Sequence, residues 1–169
     1  QKDLASTLKR IRDLGQKGFY EGETARLIVA EMQKGKGIIS LEDLKQYQAK
    51  ERAALDFNYK GYQVITMPLP SSGGIILQQM MKMIEDRNIA AMKFQTAETV
   101  QLMTEVERRA YADRAEFLGD PDFVKVPVKT MVSADYLKER MKDYEPGKAG
   151  NSKATTAGMI KESEETTHL

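Results

Sequence analysis

The sequence has no cysteine and a single histidine, His168. The first absence excludes disulfides, thiolate metal sites and a cysteine nucleophile. The second excludes a zinc site built from several histidines and argues against an internal Ser-His-Asp triad. A nucleophile, if there is one, must come from Ser, Thr, Lys or a carboxylate. An excess of one charge is also lacking, because 26 basic residues stand against 25 acidic ones, a formal net charge of +1. That balance gives no electrostatic footprint for nucleic acid or an anionic membrane. Apolar runs are only a few residues long, far short of a bilayer span. The opening "QKDLASTLKR" is charged and amphipathic, unlike a secretory signal, and lacks an initiator methionine, as expected if the numbering begins inside a longer protein.

What is present is ordinary for a soluble globular protein: 169 residues, 41% apolar and 30% charged. That length can supply one domain with a core, or a piece of something larger. Leu4, Leu8, Ile11 and Leu14 lie at helical spacing, with Gly15 placed to end the helix. "GETARLIVAEMQKGKG" repeats the pattern through Ala25, Ile28, Val29 and Met32 and is closed by Gly35 and Gly37. Ser40 and Asp43 match a capping box that opens a short helix through Tyr47. The period then changes to two. Leu55, Phe57 and Tyr59 alternate before a Lys60-Gly61 turn and Tyr62 and Val64 after it, which predicts a hairpin.

"PLPSSGG" breaks the chain, and Ser71 or Ser72 is placed to cap a buried helix near Gly74 to Glu85. A long helix is predicted from about Thr96 to Leu118, with Val100, Met103, Val106, Ala110 and Phe117 on its apolar stripe; Gly119-Asp120-Pro121 stops it. Ser133 caps a last helix to about Tyr144, after which the chain turns polar, and no internal repeat is visible. About six helices to one hairpin is an odd ratio, since a two-stranded hairpin usually joins a wider sheet. The pattern predicts the helical layer of a larger α/β structure with part of its sheet elsewhere.

Two clusters invite a chemical reading. "SSGG" sits at a helix N-terminus, where phosphates bind, but it lacks the Lys-Ser/Thr of a P-loop and the spacing of G-x-G-x-x-G, so a tight turn into a helix is the better reading. Asp113, Arg114, Glu116, Asp120 and Asp122 could do acid–base work or gather around Ca²⁺. The spacing of an EF-hand is missing, and Arg114 is placed to neutralise its neighbours, so an ion-paired helix terminus is expected. The tyrosines and ten methionines fall at core spacing and read as packing. No cofactor and no metal site is indicated.

Thr166 is the remaining candidate. It follows the polar, glycine-bearing stretch from Pro146 to Ser163 and the acidic Glu164-Glu165. A threonine in a polar tail is usually only that, but a low-complexity approach also suits a cleavable junction. A cut before Thr166 makes it an N-terminal threonine, whose own α-amine, with a pKa of about 8, can act as base for its hydroxyl without any histidine.

Five stretches read together as a family: "GFYEGETARLIVAEM", "GIISLEDLKQYQAKER", "YKGYQVITMPLPSSGGIILQQMMKMIE", "AYADRAEFLGDPDFVKVPV" and the terminal "TTH". In order and spacing they closely resemble γ-glutamyltransferase (γ-glutamyltranspeptidase), nearly end to end, and least in the linker between Glu145 and Glu165. The resemblance implies an N-terminal-nucleophile hydrolase, an α/β protein with a four-layer αββα sandwich, made as a precursor that cuts itself into a large and a small subunit. This chain would then be an incomplete domain, mostly helical layer plus the hairpin. Residues 1–145 would belong to the large subunit, 146–165 would be a flexible linker to the cleavage site, and 166–169 would begin the small subunit.

The resemblance assigns Thr166 as the nucleophile and Glu165–Thr166 as the bond cut. It implies transfer of the γ-glutamyl group of glutathione and related compounds to water, amino acids or peptides through a γ-glutamyl-threonine ester. The partners it implies are the remainder of the precursor and those substrates, and the implied location is periplasmic or extracellular. The family's substrate-binding arginine lies in an earlier part of the large subunit, and its oxyanion donors lie in the small subunit, so Arg114 inherits no role and the fragment alone is expected to be inactive. Rival readings are another N-terminal-nucleophile acylase, of the cephalosporin acylase or poly-γ-glutamate depolymerase type, and a non-catalytic helical interaction module.

Overall fold

The computed structural model describes residues 1–160, which fall into two compact units, one from Gln1 to Glu51 and the other from Arg52 onward. The first unit is helical: α1 (Lys2–Leu14), α2 (Lys17–Tyr20), α3 (Gly22–Lys34) and α4 (Leu41–Gln46). Gly15 ends α1 with φ of 59° and donates its N–H to the Ile11 carbonyl at 2.8 Å, a left-handed stop that glycine adopts at little cost. α3 stops differently from expectation, since the left-handed residue after it is Lys36, at φ 57°, while Gly35 keeps a negative φ. The capping box on α4 is formed: Ser40 Oγ accepts from the Asp43 N–H and the Asp43 carboxylate accepts from the Ser40 N–H at 2.8 Å.

A buried threonine ties this unit together. Thr24 Oγ1 donates to the Gly18 carbonyl at 2.7 Å and accepts from Arg10 Nε at 2.9 Å, so one hydroxyl joins α1, α2 and α3. Gly18 has to be glycine, because a Cβ there would run into the Arg10 carbonyl. Tyr20 stacks on Tyr47 at 5.2 Å between ring centres.

The second unit opens with the expected hairpin, β1 (Leu55–Tyr59) and β2 (Tyr62–Thr66), antiparallel with Phe57 opposite Val64 and Tyr59 opposite Tyr62. Lys60 and Gly61 both have positive φ, 47° and 85°, which is the type I′ geometry whose twist matches a two-residue hairpin. Among the described residues the sheet has these two strands only. Next comes α5 (Gly73–Ile84), which is buried over most of its surface, as its all-round apolar composition requires. Gly74 allows its first turn to press on the end of β2, since a Cβ there would meet the Met67 carbonyl and the Thr66 methyl. That close approach explains the second glycine of "SSGG" as a packing requirement. Ser72 occupies the cap position, yet its side chain does not cap; its Oγ instead accepts from Arg114 Nε at 2.9 Å.

A 3₁₀ turn (Ile89–Met92) leads to α6 (Ala97–Phe117), which Thr96 caps by accepting from the Thr99 N–H. α7 (Val128–Met131) and α8 (Ala134–Arg140) complete the order. Ser133 caps α8 as expected, but the helix ends at Arg140, and Met141 to Tyr144 form turns. The main core is built from Ile76, Met83 and Ile84 of α5, Leu102, Val106 and Ala110 of α6, and Tyr136 and Leu137 of α8. A second cluster gathers Leu69, Ile75 and Met131, with Ile160 packed against both.

The predicted stripe on α6 is therefore displaced. Val106 and Ala110 are buried, but Val100 is exposed, and the inward face also carries Glu105, Arg109 and Asp113. No helix among the described residues is long and apolar enough to cross a membrane.

Candidate functional site

The unusual feature of the second unit is a polar stripe on the buried face of its longest helix. Residues 105, 109 and 113 are spaced four apart, so they stack one turn above another alongside Leu102, Val106 and Ala110. Charged groups removed from water must be paired and hydrogen-bonded, and these are. Arg109 Nη1 donates to Glu105 Oε2 at 2.7 Å and Nη2 to Asp143 at 2.7 Å, while its Nε reaches the Arg140 carbonyl at 2.7 Å. Asp113 is fully buried and accepts from Gln79 Nε2 at 3.0 Å, and Arg140 Nη2 lies 3.1 Å from its other oxygen. Arg140 also donates to the Arg109 carbonyl at 2.9 Å, so α6 and α8 are joined in both directions.

Electrostatics follow the geometry. Burial is the largest influence on Glu105 and opposes its charge; the Arg109 hydrogen bond, the Gly150 N–H and the positive charges of Arg108 and Arg109 outweigh it and leave the carboxyl below its usual range. Asp143 is lowered chiefly by the Arg109 hydrogen bond. Burial first, and the nearby Asp113 charge second, push the Tyr136 hydroxyl well above the usual phenol value.

This stripe grips the segment after α8. Gln101 Oε1 accepts from the Gly147 N–H at 2.8 Å, and its Nε2 donates to the Glu145 and Lys148 carbonyls at 2.9 and 2.8 Å. Glu105 accepts from the Gly150 N–H at 2.7 Å, and Asp113 from the Gly158 N–H at 2.9 Å. Arg108 reaches Ser152 Oγ. A cleft of about 1110 Å³ lies beside this segment, lined by Glu105, Arg109, Tyr136 and Arg140 among others. Of the carboxylates lining it, Glu105 and Asp143 are engaged by Arg109, and Glu105 also by the Gly150 amide, an arrangement that holds chain rather than one that moves protons.

The sequence-predicted cluster does not converge. Asp113 faces the core, whereas Arg114 points to Ser72 and leaves its neighbours alone. Asp122 is paired with Arg52 at 2.7 Å, with Asp120 at 4.0 Å from the same guanidinium, and Glu116 is exposed. Arg52, a residue sequence reasoning passed over, supplies the neutralisation assigned to Arg114. Among the described residues no group of three or more His, Cys, Asp or Glu is placed to hold a metal ion. Thr166, with Glu165 and His168, lies outside the described residues. Sequence reasoning missed Glu105, Arg109 and Asp113 as a set, although their alternating charges at four-residue spacing were visible.

Comparison with known proteins supplies what the geometry does not. The family model for gamma-glutamyltranspeptidase matches residues 1–169. The glutathione hydrolase proenzyme of Pseudomonas aeruginosa is 41% identical over 171 residues, covering 100% of this chain and 30% of that protein. An acylase proenzyme of Pseudomonas sp., ACY 1, is 36% identical over 170 residues, again covering 100% of this chain and 30% of that protein. The chain thus spans about a third of the length of these relatives. In structure, Helicobacter pylori gamma-glutamyltranspeptidase superposes with a TM-score of 0.82 at 39% identity, over 93% of this chain and 45% of that one.

Proposed function

Because the chain belongs to the gamma-glutamyltranspeptidase family, whose fold is that of N-terminal-nucleophile hydrolases, we propose that its parent is a precursor that cuts itself between Glu165 and Thr166 and then transfers γ-glutamyl groups. One observation carries this reading: the family match runs through residue 169 and so includes the Thr166-Thr167-His168 motif. In the precursor the Thr166 hydroxyl attacks the Glu165 carbonyl carbon, the peptide C–N bond breaks to give an ester, and water opens that ester. The cut frees the Thr166 α-amine. With a pKa near 8 that amine takes the proton of its own hydroxyl, which attacks the γ-carbonyl of glutathione or a related amide and expels the amine. Water, an amino acid or a peptide then resolves the γ-glutamyl ester.

A chain with no cysteine and one histidine is suited to this chemistry, which requires neither. On this reading residues 1–145 belong to the large subunit, 146–165 form the linker to the cut, and 166–169 begin the small subunit. The partner is the remainder of the same precursor, and the location is outside the cytoplasm. The rival, an acylase with another acyl substrate, is supported by the more distant match at 36%.

The test is on the parent protein. Thr166→Ala abolishes both self-cleavage and release of chromophore from a γ-glutamyl anilide, because one hydroxyl serves both reactions, and Thr166→Ser retains some of each. The 169-residue fragment does neither, lacking oxyanion donors that contribute about 10²–10³ in rate each. Cleaved and active Thr166→Ala enzyme would falsify the assignment, and a parent that is cut yet acts only on other acyl groups would return the rival.

A further inference from the structure

We infer that α6 carries a docking rail for self-cleavage, in which Glu105 and Asp113 are positioning residues that hold the chain upstream of the scissile bond. The inference rests on the reading of Glu165–Thr166 as that bond, and it assigns residues that act through the backbone they hold. Three glycine amides of the segment, at 147, 150 and 158, donate in order to three side chains of one helix, Gln101, Glu105 and Asp113. Chain order and helix order run the same way, so the segment follows α6 from its N-terminal half toward its C-terminal half.

The acceptors of the rail have partners outside the segment. Glu105 is fixed by Arg109 and Arg108, and Asp113 by Gln79 and Arg140, all from elements of the packed core. Acceptors held in place by other bonds lose little freedom when they take one more donor, which is what makes a positioning device effective. The segment's glycines fit this use. A Cβ at Gly150 would stand 2.5 and 2.6 Å from the two Glu105 carboxylate oxygens, and one at Gly158 would meet the Tyr136 hydroxyl. Gly147 has φ of 80°, a conformation open to glycine.

The last anchor sets the length of the tether to the scissile bond. Glu165 lies seven residues beyond Gly158, a reach of at most about 25 Å, whereas without that anchor the tether starts at Gly150 and is about twice as long. Lengthening a tether twofold dilutes its end by only about threefold through chain entropy. A larger effect on the cleavage rate therefore reports lost alignment and not merely lost proximity.

The experiment uses the full precursor and follows the uncut band after a pulse of synthesis. Gly150→Ala, whose added methyl would press on the Glu105 carboxylate, slows cleavage about tenfold or more, as expected for loss of a hydrogen bond to a charged group. Glu105→Ala slows it similarly, the two together are no slower than the slower single variant, and Glu105→Gln, which keeps an acceptor oxygen, lies nearest to wild type. Melting temperature, measured on each uncut protein with cleavage blocked by Thr166→Ala, falls less for Gly150→Ala than for Glu105→Ala, although the two slow cleavage alike. Cleavage of Gly150→Ala at the wild-type rate, or a slowing that tracks its melting temperature, overturns the rail and leaves the assignment of Thr166 standing. Wild-type precursor never cut at Glu165–Thr166 overturns the assignment and the rail with it.

Discussion

The two units of this chain use helical periodicity in the same way and finish it differently. From Gln1 to Glu51, the apolar side of α1 is laid out at regular spacing, yet Leu4, Leu8 and Leu14 stay exposed, and Ala25 is the one apolar residue there that is fully buried. The specific contacts of that unit are a threonine hydroxyl bridging three helices, a capping box and the Tyr20–Tyr47 stack. From Arg52 onward the same kind of spacing closes on itself, with α5, α6 and α8 covering each other's apolar faces and a network of buried ions threading between them. Periodicity states which face of a helix is apolar and is silent about what covers it. The chain spans about 30% of the length of its Pseudomonas aeruginosa relative, so the same substitutions can be compared in the chain alone and in a longer parent.

Substitutions can break this contrast, and each is best read by hydrogen exchange unit by unit, because two units need not unfold together. The largest effect is expected at Arg109→Ala, which takes from buried Glu105 its shortest ion pair, leaving Arg108 at 3.4 Å and the Gly150 amide, and costs the second unit about 3–5 kcal/mol. Leu102→Ala, at a fully buried site, costs about 2–5 kcal/mol in the same unit. Its counterpart Leu8→Ala changes the first unit by no more than about 0.5 kcal/mol in this fragment; the same change in the intact parent costs more if that face is covered there, and an equal effect in both would remove the contrast. Thr24→Ala takes the acceptor from Arg10 Nε and the hydroxyl donor from the Gly18 carbonyl and destabilises the first unit by about 1–3 kcal/mol. The smallest effect is one of pH. Glu105 has a lowered folded value, so its contribution is fully present above the unfolded carboxylate value of about 4.3 and is lost as pH falls through the lower folded one. The Gly150 amide shift, followed by NMR, should titrate with a midpoint below the usual glutamate range; a midpoint at or above it contradicts the pairing.

Much of the fold could be read from residue types, for reasons visible in particular places. Lys60-Gly61 supplies the two positive φ values a tight hairpin needs, and Ser40 and Asp43 specify a cap through local bonds alone. The short helices α2 and α7, four residues each, left no periodic signal to read. Ser72 shows why local rules fail at contacts: its hydroxyl suits a cap, and a guanidinium forty-two residues away takes it instead. Arg114 was misassigned for the same reason, since the partner of Asp122 is Arg52, remote in sequence. The buried stripe of α6 was legible as spacing but not as burial, because only the tertiary pairing with Arg140, Gln79 and the following segment makes charge tolerable there. Thr166, outside the described residues, rests on the family resemblance of the motif it opens and on chemistry that needs no cysteine.

The central claim is that the end of this sequence contains a beginning. Intact-mass measurement of the purified parent, with the amino-terminal residues of each chain determined, tests it most directly. The account predicts two chains, the smaller starting Thr166-Thr167-His168, and a single uncut chain when Thr166 is alanine. A parent that stays in one piece while active, or one cut at another bond with Thr166 internal to a chain, contradicts it.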